Sequence, residues 1–102
     1  MKIEWAEPAL LDLENIRDFI KRDSEKYAAR FVEKIITAVE NLEKLPKAGR
    51  RVPESEDEKI RELLFQNYRI MYRAETKRIL ILAVIHGARD LSRKEPKPWE
   101  IT

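Results

Sequence analysis

The chain has 102 residues, 43% of them apolar and 39% charged, with a formal net charge of +2. That length argues for one domain, and the apolar share excludes a disordered chain. There is no cysteine, a single histidine at position 86 and two glycines, so disulfides, thiol catalysis and cysteine zinc sites are excluded. A histidine-built metal centre and a glycine-rich phosphate loop find no support either, and no metal or cofactor is expected.

The opening stretch MKIEWAEPAL lacks the basic region and long apolar run of a signal peptide. The longest apolar run, Ile79 to Ile85, is too short to span a bilayer. The expectation is a soluble cytoplasmic protein without a membrane partner. Its charge is uneven. Residues 1–49 carry 9 Lys+Arg against 10 Asp+Glu, whereas residues 50–102 carry 12 against 9, and eight of those twelve cations are arginines. A guanidinium fork suits phosphate and carboxylate better than an ammonium does.

Taken in chain order, Lys2 to Ala6 reads as a short strand with Ile3 and Trp5 on one face. Glu7-Pro8 opens a helix, since proline is at home in a first turn. Leu10, Leu13, Ile16 and Ile20 recur at three- and four-residue steps with Phe19 alongside, while Asp12, Glu14, Asp18 and Lys21 take the other side; the spacing predicts a helix over 8–22. Asp23-Ser24 breaks the pattern and offers two N-caps. From there Ala28, Phe31, Ile35, Val39, Leu42 and Leu45 form a second stripe, ended by Pro46 and Gly49. Two helices joined by so few residues form an antiparallel hairpin.

PKAGRRVPESEDE, residues 46–58, reads as a polar loop with an acidic tip. The period then changes. Ile60 to Phe65 is a strand of imperfect alternation. Tyr68, Ile70 and Tyr72 alternate with Arg69, Met71 and Arg73, and Ile79 to Ile85 is continuously apolar, as in a strand covered on both faces. Ala74 to Arg78 is the turn between them, and the tail from Ser92 reads as irregular. The order is strand, helix, helix, strand, strand, strand. It implies an α+β domain in which an antiparallel helical hairpin packs on one face of a three-stranded antiparallel meander.

These segments, in this order, resemble the RelE/ParE superfamily, the toxins of type II toxin–antitoxin pairs. The resemblance rests on "WAEPALLDLENIRDFI", "LPKAGRRVPE", "IRELLFQNYRIMYR" and "ILAVIHGARDL", which together span nearly the whole chain. It implies the same small sheet with a helical hairpin, and a cognate antitoxin as partner. It implies two alternative activities. RelE-like members cut messenger RNA on the ribosome without a metal, and ParE-like members poison DNA gyrase. A toxin fold without activity, serving only as a binding partner, is the third reading.

Metal-free RNA cleavage needs a base for the 2′-hydroxyl, cations for the phosphorane and an acid for the leaving oxygen. By resemblance to one nuclease branch, Arg69 in "NYRIMY" matches a strand arginine and Arg89 in "GARD" matches the arginine after the last strand. Arg61 falls near a family lysine when one residue is gapped. The branch's C-terminal tyrosine has no counterpart after Tyr72. A second nuclease branch places a carboxylate near Glu54, an arginine at Arg69 and a histidine within one residue of His86, with Gly87 where a tyrosine would follow. The catalytic candidates are therefore Glu54 as base, Arg69 as charge stabiliser and His86 as acid, histidine being the side chain whose ordinary titration falls near neutrality. Arg61, Arg69 and Arg89 are candidates for contact with phosphate or target.

Each has a plainer structural reading. Arg69 and Arg89 can pair with Glu62, Asp90 or backbone carbonyls. Glu54 adjoins a solvated acidic run, and Arg50 and Arg51 follow a helix C-terminus, where cations are favoured. Trp5 and Trp99 are expected to pack, with antitoxin contact a second role for Trp99; Tyr68 and Tyr72 are expected in the core. The missing tyrosine and lysines tilt the balance toward a ParE-like poison of DNA gyrase, with the ribosome and its mRNA as the alternative target.

Overall fold

The computed structural model describes residues 1–100. Strand β1 (Lys2–Trp5) leads into α1 (Glu7–Lys21) and α2 (Glu25–Glu40), followed by β2 (Arg50–Arg51), β3 (Ile60–Phe65), β4 (Tyr68–Ala74) and β5 (Arg78–His86). The five strands form one sheet in the order β1-β5-β4-β3-β2. The expected meander of β3, β4 and β5 is antiparallel throughout, and β1 runs parallel to β5 at its outer edge. The short β2 was not anticipated. It lies within the polar loop and pairs Arg50 with Glu62 and Arg51 with Arg61. The β3–β4 turn is Gln66-Asn67, with Gln66 at φ 52°, the positive φ that a tight two-residue hairpin requires at its first position.

α1 begins at Glu7 with Pro8 in its first turn. Its buried stripe is Ala9, Leu13 and Ile16, with Ile20 half-buried. Leu10 and Phe19, expected on or beside that stripe, stand 50% and 66% exposed. α2 is capped by Ser24, whose hydroxyl accepts the Tyr27 N–H at 3.1 Å. The helix closes earlier than its apolar pattern suggests: after Glu40 the backbone tightens into a 3-10 turn, Asn41–Glu43. Leu42 is still buried, but Leu45 is 63% exposed. Pro46 accounts for this, because the residue before a proline is driven out of the helical region.

The sheet is covered on both sides, as the continuous apolar run of β5 implies. The helices cover one face, where Phe31, Ile35 and Val39 meet Ile70, Tyr72, Ile79, Ile81 and Val84. The opposite face carries Val52, Ile60, Met71, Leu80, Leu82, Ile85 and Leu91, with Trp99 against them. Among the described residues no α-helix covers that side; the loop after β2 and the C-terminal tail do. Arg73 fixes the tail by donating to the Trp99 carbonyl at 2.6 Å. The tail also holds a 3-10 turn at Pro98–Glu100. One bulge divides β5. Met71 pairs with Ala83 and Tyr72 with Ile81, leaving Leu82 as the extra residue. Ile81 and Val84 therefore face the helices although three positions separate them. Among the described residues no helix is long and apolar enough to cross a membrane.

Candidate functional site

Successive strand residues point to opposite faces, and this alternation sorts the expected site residues. Tyr68 pairs with His86 across β4 and β5, and Arg69 pairs with Ile85. Tyr68 lies on the helix face, its ring 5.6 Å from Phe31. His86 follows it: the imidazole meets the Tyr68 ring edge-on at 5.5 Å. Its Nδ1 accepts the Ala88 N–H at 3.2 Å, which leaves Nε2 for any outside partner.

Arg69 points the other way. It is 7% exposed and sits over Glu62, which is 1% exposed. Its Nε donates to Glu62 at 2.6 Å, and its two terminal nitrogens donate to both oxygens of Glu54 at 2.9 and 2.7 Å. Arg50 donates to the second Glu62 oxygen at 2.7 Å. The result is a chain of alternating charge, Arg50–Glu62–Arg69–Glu54. Its middle members are buried, and its end members stand in solvent at 55% and 40% side-chain exposure. The Arg69 fork holds the Glu54 carboxyl below its usual range, and the same contacts push the Arg69 guanidinium further up.

Of the expected catalytic set, Glu54 and Arg69 are therefore brought together and His86 is not; the sheet lies between it and the other two. As a base near neutrality Glu54 is weakened, because a carboxylate held ionised by a bidentate guanidinium has less affinity for a proton. Arg69 has its fork occupied from within and is turned away from solvent, contrary to the expectation that it meets a target. Arg61, opposite Tyr72 on β3, donates to the Gly49 carbonyl at 2.8 Å. It stands roughly 13 Å along the strand direction from the Tyr68–His86 pair. Arg89 is exposed just beyond His86, its backbone N–H tied to the His86 carbonyl at 3.0 Å. Only His86 and Arg89 thus share the rim at the end of β5. Among the described residues no group of His, Cys, Asp or Glu is arranged to hold a metal ion.

Two residues matter more than their sequence positions suggested. Glu62 was a pairing candidate only, yet it is the buried centre of the charge chain. The signal was present: it stands between Ile60 and Leu64 at strand spacing, so the face that buries Ile60 also takes the carboxylate. The apolar periodicity of α1 puts Asp12 on its solvent side. Instead, half-buried, it accepts the Val84 N–H at 2.9 Å, beyond the point where β1 stops pairing with β5. Burial pushes its carboxyl up, against the lowering effect of that N–H and of nearby Lys94 and Arg89.

Comparison with known proteins decides the family. The family model "ParE toxin of type II toxin-antitoxin system, parDE" matches residues 3–91. The chain belongs to the ParE toxin family. A solved structure of the chromosomal ParDE toxin–antitoxin system from P. aeruginosa superposes with a TM-score of 0.71 at 26% identity, covering 84% of this chain and 95% of that one. A chain of the toxin–antitoxin complex RelBE2 from Mycobacterium tuberculosis shares the fold, with a TM-score of 0.57 at 21% identity over 86% of this chain and 92% of that one. No curated protein matches the chain. The ParE fold seen here is the α+β arrangement expected from the sequence, with β1 and β2 added to the meander at its two edges.

Proposed function

We propose that this ParE-family chain is a growth-inhibiting toxin that poisons DNA gyrase and is neutralised by a cognate antitoxin. The observation that carries the reading is the division of the nuclease candidates between two faces of the sheet. A general acid at His86 cannot serve a phosphate held by Arg69, because β4 and β5 intervene. The Arg69–Glu54 clamp further occupies the one fork that would hold the scissile group. What remains open at the rim is a recognition surface, His86 with Arg89, suited to contact with a protein target. The ParDE likeness supports the antitoxin partner.

The test is expression without an antitoxin. Growth arrest is expected, accompanied by the DNA-damage response, DNA trapped in cleaved complexes with gyrase, and intact messages. Arg89→Ala is expected to weaken arrest while the protein stays folded. Messages cut at codon boundaries on ribosomes would select the endonuclease instead. In that case His86→Ala should lower cleavage by about 100-fold, the loss typical of a removed general acid. Normal growth with folded protein accumulating would leave only an inactive binding partner.

A further inference from the structure

The tail, residues 92–100, lies beyond the segment that the family model matches, residues 3–91, yet it is fastened along its length. Leu91 and Pro98 are buried, and Leu91 and Trp99 pack on the loop-covered face. Arg73 draws the far end down through the Trp99 carbonyl. The near end is closed by Lys97, whose ammonium donates to the Leu91 carbonyl at 2.7 Å and to the Ser92 carbonyl at 3.1 Å. Glu95 lies 3.4 Å from the same nitrogen. The Lys97 side chain is 21% exposed, so water competes little for these bonds.

The two carbonyls that Lys97 grips follow directly on the rim. Gly87, Ala88, Arg89 and Asp90 are exposed. Toward the sheet they are pinned through their N–H groups: Gly87 donates to the Asn67 carbonyl at 2.7 Å, Ala88 to the His86 ring and Arg89 to the His86 carbonyl. On the other side the Ser92 N–H donates to Asp90 at 2.9 Å, and beyond that point Lys97 holds the chain. Among the described residues the Arg89 guanidinium forms no ion pair. Its direction therefore rests on the backbone beneath it. The Arg73 bond ties the tail to β4, whereas the Lys97 bonds tie it to the residues that follow Arg89.

We infer that Lys97 is a positioning residue for target recognition: by gripping the Leu91 and Ser92 carbonyls, it holds the rim loop in the conformation that presents Arg89. The inference rests on the rim being the toxin's recognition surface. A loop ordered before contact loses less conformational freedom on binding, and so binds more tightly with no added contact. An ammonium suits the task because its three donors can reach two carbonyls at once, as Lys97 does. The grip is not needed for folding. Without it the Leu91 carbonyl keeps the Lys94 N–H at 3.2 Å, and the apolar anchors Leu91, Pro98 and Trp99 are untouched. Because Lys97 stands outside the matched segment, the order of this rim depends on a part of the chain that the family pattern does not specify.

The experiment compares the full parent chain with Lys97→Met, which keeps the aliphatic stem without the donors, and Lys97→Arg, which restores donors. Hydrogen exchange is read at the Arg89 and Lys94 amides and, for the sheet, at the Ile70 and Met71 amides of β4; affinity is read by titration with purified gyrase. In Lys97→Met the Arg89 and Lys94 amides should exchange at least about tenfold faster while the β4 amides stay near their parent rates. Gyrase affinity should fall about tenfold, the cost of ordering roughly one residue's backbone. Lys97→Arg should recover most of both losses. In the Arg89→Ala background, adding Lys97→Met should cost no further affinity, since a residue that acts through Arg89 has nothing left to position. Unchanged Arg89 and Lys94 exchange in Lys97→Met, equal acceleration at the rim and in β4, or additive losses in the double variant would overturn the proposal. A parent chain that does not bind gyrase would count against the target reading instead, and the amide rates alone would then decide whether Lys97 holds the rim.

Discussion

The helix-covered and loop-covered faces of this sheet are both closed to water, but by different means. On the helix side, aliphatic and aromatic residues from α1 and α2 meet Ile70, Tyr72, Ile79, Ile81 and Val84. Burial of that kind is non-directional and scales with area. On the other side the cover is a loop and a tail, and through it runs the chain Arg50–Glu62–Arg69–Glu54. Each member depends on its neighbours, and the two in the middle have no water to fall back on. The difference teaches where a single substitution does most harm. A helix-face truncation loses area, whereas a loop-face truncation at Glu62 removes the buried partner of Arg69 and leaves it only the solvent-edge carboxylate of Glu54.

The largest expected effect follows from that contrast. Glu62→Ala should cost about 3–5 kcal/mol in urea unfolding, the range for breaking a buried ion pair by removing one member. Replacing both middle members, Glu62→Met with Arg69→Met, should recover most of that loss, because two well-packed apolar side chains often match a buried pair. Ile35→Ala on the helix face should cost about 2–5 kcal/mol with no such recovery available. If Glu62→Ala costs less than about 1 kcal/mol, an ordinary surface value, the loop face is not held by its charges.

The same contrast explains what could be read from the sequence. The helix face follows from periodicity: the α2 stripe and the alternation of Tyr68, Ile70 and Tyr72 each report one apolar side, and β5 reports two. The loop face left little such trace. β2 is two arginines, whose strand state depends on pairing with β3 rather than on propensity. The separation of His86 from Arg69 is a matter of β4–β5 register, set by the turn that joins Ala74 to Arg78 and by a bulge that no local signal marks. Family resemblance aligned Glu54, Arg69 and His86 along the chain but said nothing about which face each would take. Asp12 was misplaced for a related reason. A carboxylate beside an apolar stripe looks solvated until a strand edge is known to end beneath it.

An intermediate effect is expected where the two faces are tied together. Tyr72 is fully buried. Its hydroxyl accepts the Gly49 N–H at 3.0 Å and donates to the Pro46 carbonyl at 2.8 Å, so a helix-face residue fixes the loop that delivers Arg50. The glycine is needed for the approach, since a Cβ there would lie 2.6 Å from the Glu62 carbonyl. Tyr72→Phe should cost about 1–3 kcal/mol, because a buried N–H loses its acceptor. Hydrogen exchange at the Gly49 amide should accelerate by more than the global loss of stability accounts for. Exchange that tracks global unfolding alone would show that the hydroxyl does not hold the loop.

The smallest effects carry opposite signs with pH, which makes them a sharp comparison. Glu54, lowered by its contact with Arg69, contributes stability above its unfolded-state pKa, near 4.5, and loses it as pH falls through the lower folded value. Glu54→Gln should therefore be less stable than the parent at neutral pH and should converge with it in acid; because Glu54 itself is 40% exposed, the gap is no more than about 1 kcal/mol. Asp12, raised by burial, behaves in reverse. Its favourable contribution is full below its unfolded pKa, near 3.8, and declines as pH rises through the higher folded value. Asp12→Asn keeps an oxygen for the Val84 N–H and has no charge to desolvate, so it should gain on the parent as pH rises. Plotted against pH, the stability differences of the two variants from the parent should slope in opposite directions. Parallel slopes would mean that Asp12 is held by its N–H bond and nearby cations more strongly than burial opposes it, and that the β5 edge, like the loop face, is fastened by charge.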